Sequence, residues 1–285
     1  MTIHTGARLI EQMNSLKIQP GGLALWWLGQ MGVALKGDSD TIVYIDPCLS
    51  EIGLSAEGFE PGIFERMFPP PVDPGQISNA DWVLCSHEHF DHTDPLTVGP
   101  LAAASPEAQF VVTGWSLDIM KDADVALQRV TVAKAQVMLE LKKGLQVIPV
   151  PAAHYHLEQD PDKGHRWLGF LLVWNGVRLY HAGDTIIYPG YLDIIKSLAP
   201  VDIAIIPTNG RDGIRDGANI VGNMWPKEAL YVAELLQAQV LIPGHNDLYR
   251  GNRIPAALFL EEWERSGGRQ RFRMLQPGEL FYYYS

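Results

Sequence analysis

Ser86-His87-Glu88-His89-Phe90-Asp91-His92-Thr93-Asp94 places three of the chain's nine histidines and three carboxylates within one short stretch. It follows the apolar run Trp82-Val83-Leu84-Cys85, which reads as a buried strand. The histidines are therefore expected at the strand's C-terminal mouth, where open sheets carry their sites. In an extended segment, side chains two positions apart point the same way, so His87 and His89 can grip one ion as a pair. Asp91 and His92 follow at a turn and face elsewhere, which suits a second ion beside the first. Imidazole with carboxylate is a donor set for zinc, iron or manganese. A lone H-x-H is commonly a solvated polar turn. H-x-H-x-D-H behind a buried strand is far more specific for metal. Glu88, between the paired histidines, is expected to point away to the surface.

The chain has 285 residues, 47% hydrophobic and 19% charged, enough to bury a sizeable core as one domain spanning 1–285. Its formal net charge of −11 makes nucleic acid and anionic membranes poor general partners. No apolar run reaches the roughly 18 residues of a membrane span, and the first 20 residues lack a signal peptide's apolar segment. Cys48 and Cys85 adjoin apolar runs and read as reduced, buried thiols of a cytoplasmic protein. A homo-oligomer is compatible with this composition.

Along the chain, residues 5–16 show helical apolar spacing, and strands are expected at 23–28, 33–36 and 41–45, the last ending at Asp46-Pro47. Residues 51–76 are proline-rich and interspersed with aromatics, and read as a long loop flanking a site. Pro95 opens a helix to about 104, with Thr93 or Asp94 as its cap. Strands are then expected at 110–113, 129–132, 136–141 and 145–149, with a short helix at 116–123. Pro151-Ala152-Ala153-His154-Tyr155-His156 is a second histidine-bearing strand end, and either histidine could face the site if that segment is extended. Asn175-Gly176 signals a hairpin of 167–174 with 177–181, ending in Ala182-Gly183-Asp184-Thr185. After a helix at 191–198, a buried strand at 201–206 leads into a loop at 207–225. A helix follows from Pro226, then a strand ending in Pro243-Gly244-His245. A helix at 255–266 and strands at 271–275 and 280–284 complete the chain. Strands in runs, with a helix after each polar turn, favour two sheets packed face to face with helices outside.

Four strand ends thus carry His87/His89/Asp91/His92, His154, Asp184 and His245. In this order and spacing H-E-H-F-D-H, P-A-A-H, H-A-G-D-T and I-P-G-H resemble the metallo-β-lactamase superfamily, from about Leu23 to Asp247. Leu25-Trp26-Trp27-Leu28-Gly29, Val201-Asp202-Ile203-Ala204 and Val240-Leu241-Ile242-Pro243-Gly244-His245-Asn246-Asp247 are similar to its L-ascorbate-6-phosphate lactonase group. The resemblance implies an α+β, αββα four-layer sandwich of two mixed sheets with a metal centre on its edge. It implies one or two divalent ions, zinc or manganese. His87, His89 and His154 would hold one; Asp91, His92 and His245 the other, with Asp184 between. Asp46 would steady a ligand imidazole from behind.

The activity implied is hydrolysis by a metal-dependent enzyme, a lactonase opening a sugar lactone, with or without a phosphate, by attack of metal-bound hydroxide. Asp91 is the candidate to orient or deprotonate the water. Asn209, Arg211 and Arg215 are candidates to hold a phosphate or carboxylate of a small anionic substrate, with His156 and His165 on the substrate side. Two other readings carry weight. One is a phosphodiesterase or phospholipase D-like hydrolase of the same superfamily, using an apolar groove lined by Phe59, Phe64, Met67 and Phe68. The other is a non-catalytic metal-binding protein.

Overall fold

The computed structural model describes residues 3–285. Two sheets carry the architecture. The first contains β1 (Gly22–Gly29), β2 (Gly32–Lys36), β3 (Ile42–Ile45), β4 (Trp82–Leu84), β5 (Gln109–Val112), β6 (Val130–Val132) and the last strand, β15 (Leu280–Tyr284), in the order β15-β1-β2-β3-β4-β5-β6. The second contains β7 (Leu139–Lys142), β8 (Leu145–Ala152), β11 (Trp167–Trp174), β12 (Val177–His181), β13 (Ile203–Pro207) and β14 (Val240–Gly244), in the order β14-β13-β12-β11-β8-β7. A small ribbon of β9 (Gln159–Asp160) and β10 (Gly164–His165) stands apart. Each sheet is antiparallel in its early part and parallel in its later part, with β3-β4-β5-β6 and β12-β13-β14 the parallel runs.

Alternation along the strands explains the layering. In β1, Leu23, Leu25 and Trp27 face the second sheet, where they pack with Val147, Phe170, Leu172 and Ile203. Ala24, Trp26 and Leu28 face outward onto a separate core with the helices α1 (Ala7–Ser15) and α2 (Pro95–Ala104). Both indoles are core residues, and β1 is buried along its whole length because it is covered on both faces. The outer face of the second sheet packs on α4 (Tyr191–Leu198), α6 (Pro226–Leu235) and α7 (Ala256–Arg265). The order is helix, sheet, sheet, helix, as expected. The two remaining helices, α3 (Leu117–Asp122) and α5 (Gly213–Gly217), are short.

Several local features differ from the sequence reading. Residues 271–275 are not a strand; Arg271 and Arg273 exchange main-chain hydrogen bonds with Leu241 and only cover the edge of β14. The strand expected from Gln136 begins at Leu139, because Gln136 sits at φ 62° in a turn. The 207–225 loop contains α5, capped by Asp212, whose carboxylate accepts the Ile214 and Arg215 N–H groups. Lys36 is fully buried in β2, and its ammonium donates to the Met13 and Asn14 carbonyls (2.8 and 3.0 Å) at the end of α1.

The 51–76 segment is irregular apart from single 3-10 turns at Ile52–Ser55 and Pro74–Gln76. Phe68 lines, with Met67, Asn246 and Asp247, a cavity of about 350 Å³, whereas Phe59 and Phe64 turn into a packed cluster. Phe64 packs edge-to-face on Phe59, Phe90 and Tyr249 with ring centroids 4.8, 5.1 and 5.4 Å away, and Ile220 of the 207–225 loop joins the same cluster.

Gly183 turns the chain from β12 into Asp184. It has φ +59°, and a Cβ there would lie 2.3 Å from the Leu168 carbonyl oxygen. Gly183→Ala is expected to cost about 2 kcal/mol or more. That lowers the melting temperature by roughly 4–8 °C. An unchanged melting curve would refute this account of the turn.

Candidate metal centre

Four strand ends converge, one from the first sheet and three from the second. After β4 the chain runs through Ser86 to His87 and His89, then folds into a turn in which the His92 and Thr93 amides donate to the His89 carbonyl. Asp94 caps α2 by accepting the Leu96 N–H at 2.9 Å. His154 follows β8, Asp184 follows β12 and His245 follows β14. The Leu168 amide donates to the Ser86 carbonyl at 3.0 Å, tying the two sheets together beside the cluster.

The side chains form two adjoining sets. Donor atoms of His87, His89, His154 and Asp184 lie within 4.8 Å of one another, and so do those of Asp91, His92 and His245. Asp184 touches both sets. Its Oδ2 is 3.1 Å from His154 Nε2 and 3.0 Å from His245 Nε2, and its Oδ1 is 3.2 Å from His92 Nε2. All of these residues are buried except His89, which is half-buried. Behind them stands Asp46, which is fully buried. It accepts from Ser86 N (2.7 Å) and Ser86 Oγ (2.6 Å), and its Oδ2 lies 2.8 Å from His92 Nδ1.

The electrostatics follow from crowding carboxylates and imidazoles out of water. Burial alone would raise the Asp184 carboxyl, but the imidazoles of His245 and His92 hold it well below its usual range. Asp91 is held low in the same way, against burial, by His92 and His245. Burial would lower His92 and His245, yet Asp184 and Asp91 reverse this; His92 is raised well above normal and His245 is raised to about 9. His87 and His89 go the other way. Burial and neighbouring imidazoles lower both, His89 to about 3. His87 and His89 thus favour their neutral forms, and the second set is a carboxylate-rich nest for positive charge.

His87 Nε2 is buried without a hydrogen-bond partner, at a cost of about 1–3 kcal/mol if left so, and His92 Nε2 and Asp184 Oδ1 are buried 3.2 Å apart without the alignment of a hydrogen bond. Neutral imidazole nitrogens and carboxylate oxygens are the donors a divalent transition ion takes, so the residues fit such a group.

The remaining candidates are placed as follows. His156 is exposed: Tyr155 adopts φ 65° and the His156 amide turns back onto the His154 carbonyl at 2.9 Å, so the segment is not extended and only His154 joins the cluster. His165 lies half-buried in β10, outside both sets. His181 Nε2 donates to the Met31 carbonyl at 2.8 Å and is structural. Glu88 is not a surface residue. It is partly buried and accepts from Arg166 Nε at 2.5 Å. Asn209 is buried with its Nδ2 donating to Asn252 at 2.9 Å. Arg211 forks onto both oxygens of Glu228 at 2.7 Å, and Arg215 Nε donates to Asp212 at 2.7 Å. Both guanidinium groups of this loop therefore carry their own carboxylates.

One residue with no motif around it also enters the site. Gln30, in the turn between β1 and β2, is 1% exposed and places Nε2 2.7 Å from Asp91 Oδ2. Its main chain is fixed by Asp247, whose carboxylate also accepts from the Trp27 indole at 2.7 Å. The only trace of it in the sequence is a large polar residue in a glycine-flanked turn.

Residues 41–246 match the family model of the β-lactamase superfamily domain. The chain belongs to the metallo-β-lactamase superfamily and is a metal-dependent hydrolase. Within that class it is similar to the L-ascorbate-6-phosphate lactonases. It is 24% identical to the "Probable L-ascorbate-6-phosphate lactonase UlaG" of Shigella boydii serotype 4, over 94% of this chain and 81% of that one. In fold it is similar to Igni18, a metallo hydrolase from Ignicoccus hospitalis, with TM-score 0.64 and 22% identity over 93% of this chain and 99% of the other. It is also similar to an isothiocyanate hydrolase from Delia radicum gut bacteria, with TM-score 0.72 and 17% identity over 92% and 100% of the two chains. Among the described residues no helix is long and apolar enough to cross a membrane.

Asp46 fixes the ring of His92 and, through Ser86, bears on His87, whose Nδ1 lies 3.0 Å from Ser86 Oγ. Asp46→Ala is expected to lower affinity for a divalent ion by about 10–100-fold. Competition with a chromophoric chelator measures this. Wild-type affinity in the variant would mean that Asp46 does not support the donors.

Proposed function

We propose that the chain hydrolyses lactones, with a small sugar lactone as the substrate class. The observation that carries this reading is Asp91, buried at the junction of two donor sets that Asp184 joins. The lactonase relative, matched over 94% of this chain, supports the choice of bond. His87, His89, His154 and Asp184 would hold one divalent ion, zinc or manganese, and Asp91, His92, His245 and Asp184 a second. Bound there, the ions supply Lewis acidity toward the carbonyl and acidify water.

The protein's own residues do the rest. Asp184 offsets positive charge on both sides of the centre. Asp46 and Ser86 keep the His92 and His87 rings in register. Asp91, whose carboxyl is held low against burial by His92 and His245, takes the proton of the attacking water. As the new C–O bond forms, the acyl C–O bond of the ring breaks, and that proton passes to the departing ring oxygen. The product is the open hydroxy acid.

Because Arg211 and Arg215 are already neutralised, the reading rests on the lactone ring and not on a charged substituent. The self-packed aromatics around Phe64 weigh against the long apolar groove that a phospholipase-like activity needs. Buried, unpaired Cys48 and Cys85 accord with a reducing compartment such as the cytoplasm.

Metal-loaded protein is expected to open members of a sugar-lactone panel, to lose the activity on chelation and to regain it with zinc or manganese. Asp91→Asn should reduce kcat by about 10²–10⁴-fold. Full activity in that variant, or a metal-loaded wild type that opens no lactone, would sink the proposal.

A further inference from the structure

Three side chains belong to the second set alone, Asp91, His92 and His245, and Asp184 is shared with the first. Gln30 stands beside them. The terminal atom facing the set lies 2.7 Å from Asp91 Oδ2 and 3.1 Å from His245 Nε2. Donors sharing one divalent ion with bonds of about 2.0–2.2 Å lie roughly 3 Å apart, so this is the separation of neighbouring ligands. The other terminal atom, Oε1, is buried and has no partner. A half-turn about the last side-chain torsion exchanges the two atoms and brings the oxygen among the donors.

The backbone argues that the side chain is there for a reason. Gly29 and Gly32 pair across the hairpin, leaving Gln30 and Met31 as its two-residue loop. Gln30 has φ 62°, in a first turn position where glycine is the usual occupant. The conformation is held from outside by two hydrogen bonds: Gln30 N–H to Asp247 Oδ1 at 2.8 Å, and His245 N–H to the Gln30 carbonyl at 2.6 Å. A strained non-glycine residue that is over-determined by its surroundings is characteristic of functional sites. The His245 bond also ties the turn directly to a donor of the second set.

We propose that Gln30 is a further protein donor of the second set, beside Asp91, His92, His245 and the shared Asp184, binding its ion through the carboxamide oxygen. This rests on the two-ion reading above and adds a ligand to it. An amide oxygen beside carboxylates also shifts that set toward a harder ion, manganese over zinc.

Metal stoichiometry and stepwise affinity, measured by titrating the metal-free protein with Mn²⁺ and with Zn²⁺, test the assignment. Manganese EPR distinguishes a paired from a single ion. Wild type should bind two ions. Gln30→Met should keep the first and lose at least about tenfold in affinity for the second. Gln30→Glu, which retains an oxygen at the same reach, should bind the second at least as tightly as wild type. Two sharply opposed results would overturn the proposal. In one, Gln30→Met binds both ions like wild type; in the other, Gln30→Glu loses the second ion as Gln30→Met does, showing Gln30 to be only a hydrogen-bond donor to Asp91. A wild type that takes up a single ion overturns the two-ion reading itself, and this assignment with it.

Discussion

Asp46, Asp91 and Asp184 stand buried within reach of five imidazoles, and that balance of charge is the condition the rest of the molecule meets. Carboxylates removed from water need positive charge beside them. In the protein alone His92 and His245 supply it by holding protons. A divalent cation answers the same demand with more charge and with partners for the orphaned donor atoms. The cluster is therefore built for positive charge, independently of any reaction assigned to it.

Neither sheet could build this site alone. The first delivers the histidine-rich turn from the end of β4, and the second delivers His154, Asp184 and His245 from three strand ends. The interleaved core of Trp27, Leu168, Phe170 and Ile205 fixes how the two sheets face each other. The Leu168–Ser86 hydrogen bond carries that alignment to the ligands themselves. Each donor set draws on both sheets, so misalignment of the layers would pull apart the donors within each set.

The layers and the donor positions were legible because both rest on short-range patterns. Continuous apolar runs ending in His, Asp or Gly mark strand ends, and Asn175-Gly176 marks its hairpin. What escaped depends on contacts between residues remote in the chain. Arg211 reads as a free cation until Glu228 folds back onto it from α6. His154 and His156 look equivalent until Tyr155 takes a left-handed φ. Arg271 to Leu275 alternates like a strand but meets the edge of β14 at a single bridge. Gln30 has no motif at all; its importance arises from Asp91 and His245, 61 and 215 residues further on.

Phe90 is the one apolar side chain inside the histidine turn, between His89 and Asp91, and its ring packs on Phe64 and Tyr249. Through that cluster it joins the loops at 51–76 and 207–225, with Ile220 as the second loop's contact. A cation that fixes His89 and Asp91 thereby fixes the floor on which both loops rest. Thermodynamic reciprocity then requires that whatever orders those loops also tightens the hold on the ion. Phe90 is thus the packing contact that joins the histidine turn to both loops.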